Sequence, residues 1–214
     1  RWASASARVD YLLILTRPMI FALVSLPWVF SAYAVARATV RGLDQTFGYR
    51  VLADLDPVAL AVVYTLVLFV AWDFSRFALH WCMHRFDLLW AFHQVHHSAE
   101  VLTPLTLYRI HPVESALYQL RGALVTGVVT GVFFHFTRGQ ANPIELLGVN
   151  ALGAVFSAVG GNLRHSHLWW GWGPLERWFI SPAQHQLHHG RDEGPRVNYG
   201  TWLAIWDRMF STLA

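Results

Sequence analysis

Apolar and charged positions are spread very unevenly along the chain. Four stretches hold no Asp, Glu, Lys or Arg over a distance comparable to a bilayer: residues 18–36, 57–72, 122–137 and 146–163. Each approaches the roughly 20 residues that cross a hydrocarbon core of about 30 Å. Arginines at their ends (Arg17, Arg37, Arg121 and Arg164) have stems long enough to reach the headgroups and extend the usable span. The pattern predicts an all-α integral membrane protein with about four transmembrane helices. Pro18 is expected near the start of the first helix, where a missing N–H costs little. Ala32-Tyr33-Ala34 has the look of a signal-peptide cleavage site, but the segment is read as retained. Gly127 and Gly131 form a small-xxx-small pair in the third stretch and predict close helix packing. Trp169, Trp170, Trp172 and Trp178 are expected in an interfacial aromatic belt.

Composition excludes several classes. Of 214 residues, 55% are hydrophobic and only 14% charged, with a mean hydropathy of +0.34. A disordered tail does not carry this much apolar surface, and so few charges cannot clothe a water-soluble fold. One membrane-embedded unit spanning residues 1–214 is expected. The net charge of +3 comes from 16 arginines, with no lysine, against 13 acids. These arginines are scattered rather than gathered in a stripe, which suits anionic headgroups and not nucleic acid. Exclusive use of arginine is expected of a GC-rich bacterial coding sequence, hence a bacterial inner membrane. Cys82 is the only cysteine, so this chain alone builds no disulfide and no Cys-ligated iron–sulfur cluster.

Arginine counting sets the expected orientation. Arg76, Arg85, Arg109, Arg164, Arg177, Arg191, Arg196 and Arg208 lie before residue 111 or after residue 163, whereas the connection between the third and fourth stretches holds only Arg138. The positive-inside bias places the richer segments in the cytoplasm. Residues 37–56, read as a loop, break the pattern with three arginines accompanied by three aspartates.

The same presumed cytoplasmic segments hold nearly all of the 12 histidines. His80 and His84 stand one helical turn apart. His93, His96 and His97 share an i, i+3, i+4 spacing, as do His185, His188 and His189, and His165 and His167 form a further pair. Two imidazoles one turn apart can converge on an ion at about 2.0–2.1 Å. Consecutive residues diverge by about 100° around a helix axis, so one triplet can serve two ions. About ten histidines exceed what one ion takes, and with no thiolate cluster and few carboxylates two histidine-rich iron centres are the natural proposal. His135 is read as interfacial and His111 as either an orienting donor or a substrate contact. Metal-bound imidazoles usually donate their second N–H to a carboxylate or carbonyl. Asp73, seven residues before His80, is the leading orienting candidate, followed by Glu100 and Asp207.

His-Trp-Cys-Met-His, His-Gln-Val-His-His-Ser, Arg-Ile-His-Pro, His-Ser-His and His-Gln-Leu-His-His, in this order, resemble the fatty acid hydroxylase superfamily, which includes sterol desaturases and C4-sterol methyl oxidases. The likeness runs over about residues 73–213. It also covers Ser181-Pro182, Asn198-Tyr199-Gly200 and Trp206-Asp207-Arg208-Met209-Phe210. The resemblance implies a cytoplasmic, helical, histidine-rich cap holding a di-iron centre that uses O2 to hydroxylate or desaturate a lipid. It makes His80, His84, His93, His96, His97, His185, His188 and His189 iron ligands and His165 a ninth. His167 joins the candidate set but stands where many family members carry asparagine.

No dinucleotide fingerprint or flavin site is visible, so electrons must come from a separate reductase with a ferredoxin or cytochrome. Zinc can replace iron in overexpressed protein. Two competing readings are a zinc-dependent membrane lipid hydrolase and a non-catalytic metal-binding or transport protein. Transporters place ligands near mid-membrane, whereas these histidines follow the ends of the apolar stretches.

Overall fold

The computed structural model describes residues 4–49, 56–138, 142–146, 149–158, 163–190 and 196–214, with the backbone alone described over 17–30 and at 145, 146 and 149. Helix α1 (Ala5–Phe47) starts at Ser4, whose hydroxyl accepts the Ala7 N–H at 3.2 Å. The first apolar stretch is thus the middle of a helix of 43 residues. Pro18 lies in its interior rather than near its start, and residues 37–47, expected as loop, are helical. Charges mark where apolar surface ends, not where backbone hydrogen bonding ends.

Helix α2 (Pro57–Arg85) opens on Asp56, which accepts the Ala59 N–H at 2.8 Å, with Pro57 in the first turn where its missing N–H is harmless. At 1.5 Å per residue its 29 residues run about 43 Å, longer than a hydrocarbon core. Its last turns, carrying Asp73, His80 and His84, therefore project beyond the apolar part. Helix α3 (Asp87–His97) follows after one residue, and a 3-10 turn at Pro104–Tyr108 leads to α4 (Pro112–Thr137). Arg138, in the left-handed region at φ 54°, ends α4.

The fourth apolar stretch behaves differently. Strands β1 (Glu145–Leu146) and β2 (Val149–Asn150) pair antiparallel, and α5 (Ala151–Phe156) is a six-residue helix. Residues 147–148 and 159–162 of that stretch lie outside the described residues. This hairpin is pinned to α2, because Thr65 accepts the Ile144 N–H at 2.7 Å and an Asn150 amide N–H at 3.1 Å. A 3-10 turn at Gly173–Arg177 and the short helices α6 (Pro182–His188) and α7 (Ile205–Met209) complete the chain.

Helices α1 and α4 meet closely at the two glycines. A methyl on Gly127 would lie 2.6 Å from Val35 Cβ, and one on Gly131 would lie 2.5 Å from Thr39 Cβ, so no larger residue fits. Between α2 and α4 a small core forms from Tyr64 and Leu68 with Leu60, Trp72, Val129 and Phe133. His135 is buried near the end of α4, and its Nδ1 lies 2.6 Å from Asp44 of α1. Trp169, Trp170 and Trp178 are exposed.

The molecule is apolar outside and polar within. Helices α2 and α4 are long and apolar enough to cross a membrane, yet only 28% and 22% of their most apolar windows are buried. Val58, Val62, Leu66 and Val70 of α2 and Leu124 and Val128 of α4 face outward, while buried side chains are mostly His, Asp, Arg, Thr and Ser. A core helix of a water-soluble fold shows the reverse.

Candidate metal centre

The described histidines gather into two adjacent groups. His80, His84, His93, His97 and His188 form one, and His96, His165, His185 and His189 the other; within each, one nitrogen per residue lies within 4.8 Å of all the others. Helical spacing accounts for the partition. In α3, His93 and His97 share a face and enter the first group while His96, about 100° from His97, enters the second. At the end of α6 the pattern is mirrored: His185 and His189 serve the second group and His188 the first. His97 and His189 stack at 4.4 Å between ring centroids where the groups adjoin.

Hydrogen bonds fix the tautomers. His80 Nδ1 lies 2.8 Å from the Tyr199 carbonyl, His188 Nδ1 2.8 Å from that of Val197, and His96 Nδ1 3.2 Å from that of Arg109. A carbonyl only accepts, so in a neutral ring each Nδ1 carries the hydrogen and each Nε2 a lone pair. His93 Nδ1 lies 2.9 Å from Glu114 Oε1 and is fixed likewise by the carboxylate. The Nε2 atoms then face one another: His80 and His93 at 3.1 Å, and His165 with His96 and with His185 at 3.0 Å each. In the first of these pairs lone pair meets lone pair, an arrangement that repels unless a cation lies between. Both ring nitrogens of His84 and the Nε2 atoms of His97, His188 and His189 are buried with no partner among the described residues. The donor set fits transition-metal ions.

Burial keeps these rings neutral. It lowers His93 and His96 to about 4 and His188 to about 3, and it also lowers His97, His165, His185 and His189, with neighbouring histidines adding to the effect on these last four. Neutral imidazole is the ligand form, so no proton has to be expelled at neutral pH.

The surroundings hold the carbonyls in place. Asp207 accepts the N–H groups of Tyr199 at 2.8 Å and Gly200 at 2.7 Å and the Thr212 hydroxyl at 2.6 Å; its pKa is pushed up to about 6 by burial. A methyl on Gly200 would sit 2.7 Å from Asp207 Oδ2 and 2.8 Å from Ile180 Cγ1, so only glycine lets this loop close. Asn198, at φ 54°, ties the same loop to the Gln184 carbonyl at 2.9 Å. Ser181 caps α6 in a reciprocal box with Gln184. Asp73 accepts the Trp202 and Leu203 N–H groups at 3.1 Å each and the Trp206 indole N–H at 2.9 Å. Asp73 and Asp207 thus reach the histidines through the 198–206 loop and not directly.

Two supports escape the sequence reading. Glu114, buried in the first turn of α4, is the carboxylate that touches an imidazole of these two groups among the described residues. Its proximity to His111-Pro112 was the available signal. Arg109, whose carbonyl receives His96, is clasped by Asp10 of α1 at 2.7 Å from Nε and also donates to Ser6 and Ser98. Thr106 donates to the other Asp10 oxygen at 3.0 Å. Other candidates lie apart. His111 caps α4, accepting the Val113 N–H at 3.1 Å. Glu100 is exposed, its backbone N–H donating to Ser6 Oγ at 3.3 Å. His167 is exposed and outside both groups.

A chamber of about 50 Å³ lies against both groups, lined by His80, His93, His96, His165, His185 and Glu114 with Arg76, Tyr118 and Arg164 nearby. Arg164 donates to the Thr201 carbonyl.

The family model for fatty acid hydroxylase matches residues 65–212, more than half of the chain. The chain is 29% identical over 189 residues to an ornithine lipid hydroxylase, OlsE, of Rhizobium tropici, covering 85% of this chain and 50% of that protein. It is 32% identical over 152 residues to the alkylglycerol monooxygenase of Danio rerio (68% of this chain, 29% of that one). With the Homo sapiens alkylglycerol monooxygenase the identity is 29% over 148 residues, covering 67% and 29%. The chain thus spans half or less of the length of these relatives. No solved structure matches it. With the family model reaching from the first third of α2 to the residues beyond α7, and both histidine groups inside it, the chain belongs to the fatty acid hydroxylase family.

Proposed function

We propose that this chain is a membrane oxygenase that binds two iron ions and uses O2 to hydroxylate a C–H bond of a lipid. The observation that carries the reading is the convergence of buried, neutral imidazoles on two adjacent centres, with the lone pairs of His80 and His93 facing each other at 3.1 Å. His80, His84, His93, His97 and His188 would hold one ion, and His96, His165, His185 and His189 the other. An all-imidazole set without thiolate suits iron, and the matched relatives are a lipid hydroxylase and monooxygenases by name. When bound, the iron pair supplies the activation of O2.

The protein's own groups set the geometry. The carbonyls of Tyr199, Arg109 and Val197 and the Glu114 carboxylate keep Nε2 of their imidazoles unprotonated and aimed at the ions. Asp73 and Asp207 act one step further out by fixing the loop that carries Tyr199. The chamber has room for a diatomic molecule or a few waters and none for bulk solvent, which limits side reactions.

Helices α1, α2 and α4 cross the bilayer in this reading, and the fourth apolar segment lies beside α2 as a hairpin and short helix pinned at Thr65. Lipid reaches the centre from the apolar layer. The histidine-rich end faces the cytoplasm of a bacterial cell, as the arginine bias suggests, where an external reductase with a ferredoxin or cytochrome delivers electrons.

The test is anaerobic purification, metal quantification, and addition of O2, reductant and candidate lipids, with an ornithine lipid and an alkylglycerol among them. Two irons per chain and an O2-dependent hydroxylated product are expected. Stoichiometric zinc with product formed without O2 would overturn the reading in favour of a hydrolase, and tight binding with no turnover on any lipid would favour a non-catalytic metal protein.

A further inference from the structure

The end of the helices away from the histidines carries a second feature that the oxygenase chemistry does not use. Arg138 lies about 36 Å along α4 from Glu114, on the scale of the bilayer core. There α1 and α4 enclose a groove of about 830 Å³, walled by Ala32, Ala36, Val40, Thr126, Thr130 and Phe134. The two threonines do not make it polar, because Thr126 receives the Trp72 indole N–H at 3.0 Å and Thr130 pairs with the Tyr64 hydroxyl at 2.7 Å.

Arg37, Arg41 and Arg138 line the same groove. None of them forms an ion pair among the described residues. The neighbouring carboxylate, Asp44, is taken by His135 across the helix contact. Arg37 lies over the Tyr33 ring at 5.6 Å and Arg138 over the Tyr49 ring at 4.6 Å, contacts that engage the guanidinium faces and not their N–H edges. Arginine forks of this kind match phosphate oxygens in a bidentate way. Three of the arginines and tyrosines also come from residues 37–56 or their border, the segment that breaks the charge bias expected of the side opposite the histidines.

We propose that this groove binds an anionic phospholipid, with an acyl chain along the α1–α4 wall and the phosphate held by Arg37, Arg41 and Arg138. An apolar trough lined by three guanidiniums that have no carboxylate partner among the described residues complements that molecule in both parts. A second copy of the chain packed about a two-fold axis on this face would bring like charges together, which disfavours it as occupant.

The test uses the full chain purified from membranes in mild detergent and reconstituted into discs of phosphatidylcholine, with or without phosphatidylglycerol. Expected are co-purifying anionic phospholipid by native mass spectrometry and a rise in Tm when phosphatidylglycerol is added. The triple variant Arg37→Gln, Arg41→Gln, Arg138→Gln should lose both, while keeping its metal content and its Tm in phosphatidylcholine alone. A control variant, Arg85→Gln with Arg177→Gln, should keep the gain. The proposal is overturned if the triple variant gains as much as the parent, if the control loses the gain equally, or if inorganic phosphate alone reproduces it. It is also overturned if the arginines instead govern a monomer–dimer equilibrium. Because the inference rests on the membrane reading, recovery of the chain in the soluble fraction would refute that reading instead, before any lipid is tested.

Discussion

The two histidine groups use one kind of side chain but stand on unequal foundations. The first draws on α2 and α3, with His80, His84, His93 and His97 held by continuous helix and only His188 coming from the C-terminal part. In the second, His96 alone comes from α3, and His165, His185 and His189 come from an irregular segment and a helix of seven residues. Long helices carry four of the five side chains of the first group, whereas the second leans on the Arg109 clasp and on a short helix held by its own capping box. Identical side-chain chemistry can therefore differ in how readily its geometry is disturbed.

Direct removal of a ligand from each side separates them most sharply. His84→Ala and His96→Ala should each abolish lipid oxidation, but each should lose metal from its own group first, read by metal analysis and the spectroscopic signature of the ion that stays. Equal and complete metal loss in both would show that the groups load as one. Next in size is Asp10→Asn. Leaving Arg109 without its buried carboxylate should cost about 3–5 kcal/mol in unfolding measurements, and metal loss should begin at the second group, with Asp10→Glu restoring part of it. An Asp10→Asn protein with parental stability would remove α1 from the support of the site.

Glu114→Gln keeps the shape but weakens the charge-assisted bond to His93. Metal affinity at the first group should fall about 10–100-fold, measured by competition with a chelator, and unchanged affinity would reduce Glu114 to packing. The two groups should respond alike to acid in chelated protein. His96 and His188 have folded pKa values of about 4 and 3, below the 6.5 of a free imidazole, so the unfolded chain binds more protons as pH falls. Their stability contribution is whole above about pH 6.5 and declines below it, by about 1.4 kcal/mol each at pH 5.5. Asp207, raised to about 6, has the opposite sign and offsets less than one imidazole's share. A flat unfolding profile between pH 7.5 and 5.5, roughly one pH unit either side of the free imidazole value, would contradict the burial of these rings. Smallest is His167→Ala: exposed and outside both groups, it should leave metal content and turnover unchanged.

Much of this was legible in residue order. Side chains spaced by whole turns must converge, and consecutive ones must diverge, so the two HxxHH triplets already foretold two groups. What residue identity cannot reveal is a backbone acceptor: the carbonyls of Tyr199, Arg109 and Val197 look the same whatever side chain they carry. Asp10 and Arg109 are 99 positions apart, and nothing local announces their meeting. Nor does an apolar run state its backbone form. Residues 57–72 and 122–137 lie in long helices, while 146–163 includes a hairpin, because exclusion of charge reports the solvent and not the hydrogen-bond pattern.

The adjacency of His96 with His97, and of His188 with His189, has a mechanical corollary. Since each of these neighbouring pairs straddles both centres, the gap between the centres is gauged by a single peptide unit at two places. The backbone at these pairs cannot slide without unwinding a helix, so were two ions bound there, any change in their separation would come from rocking of the rings and not from sliding of the scaffold.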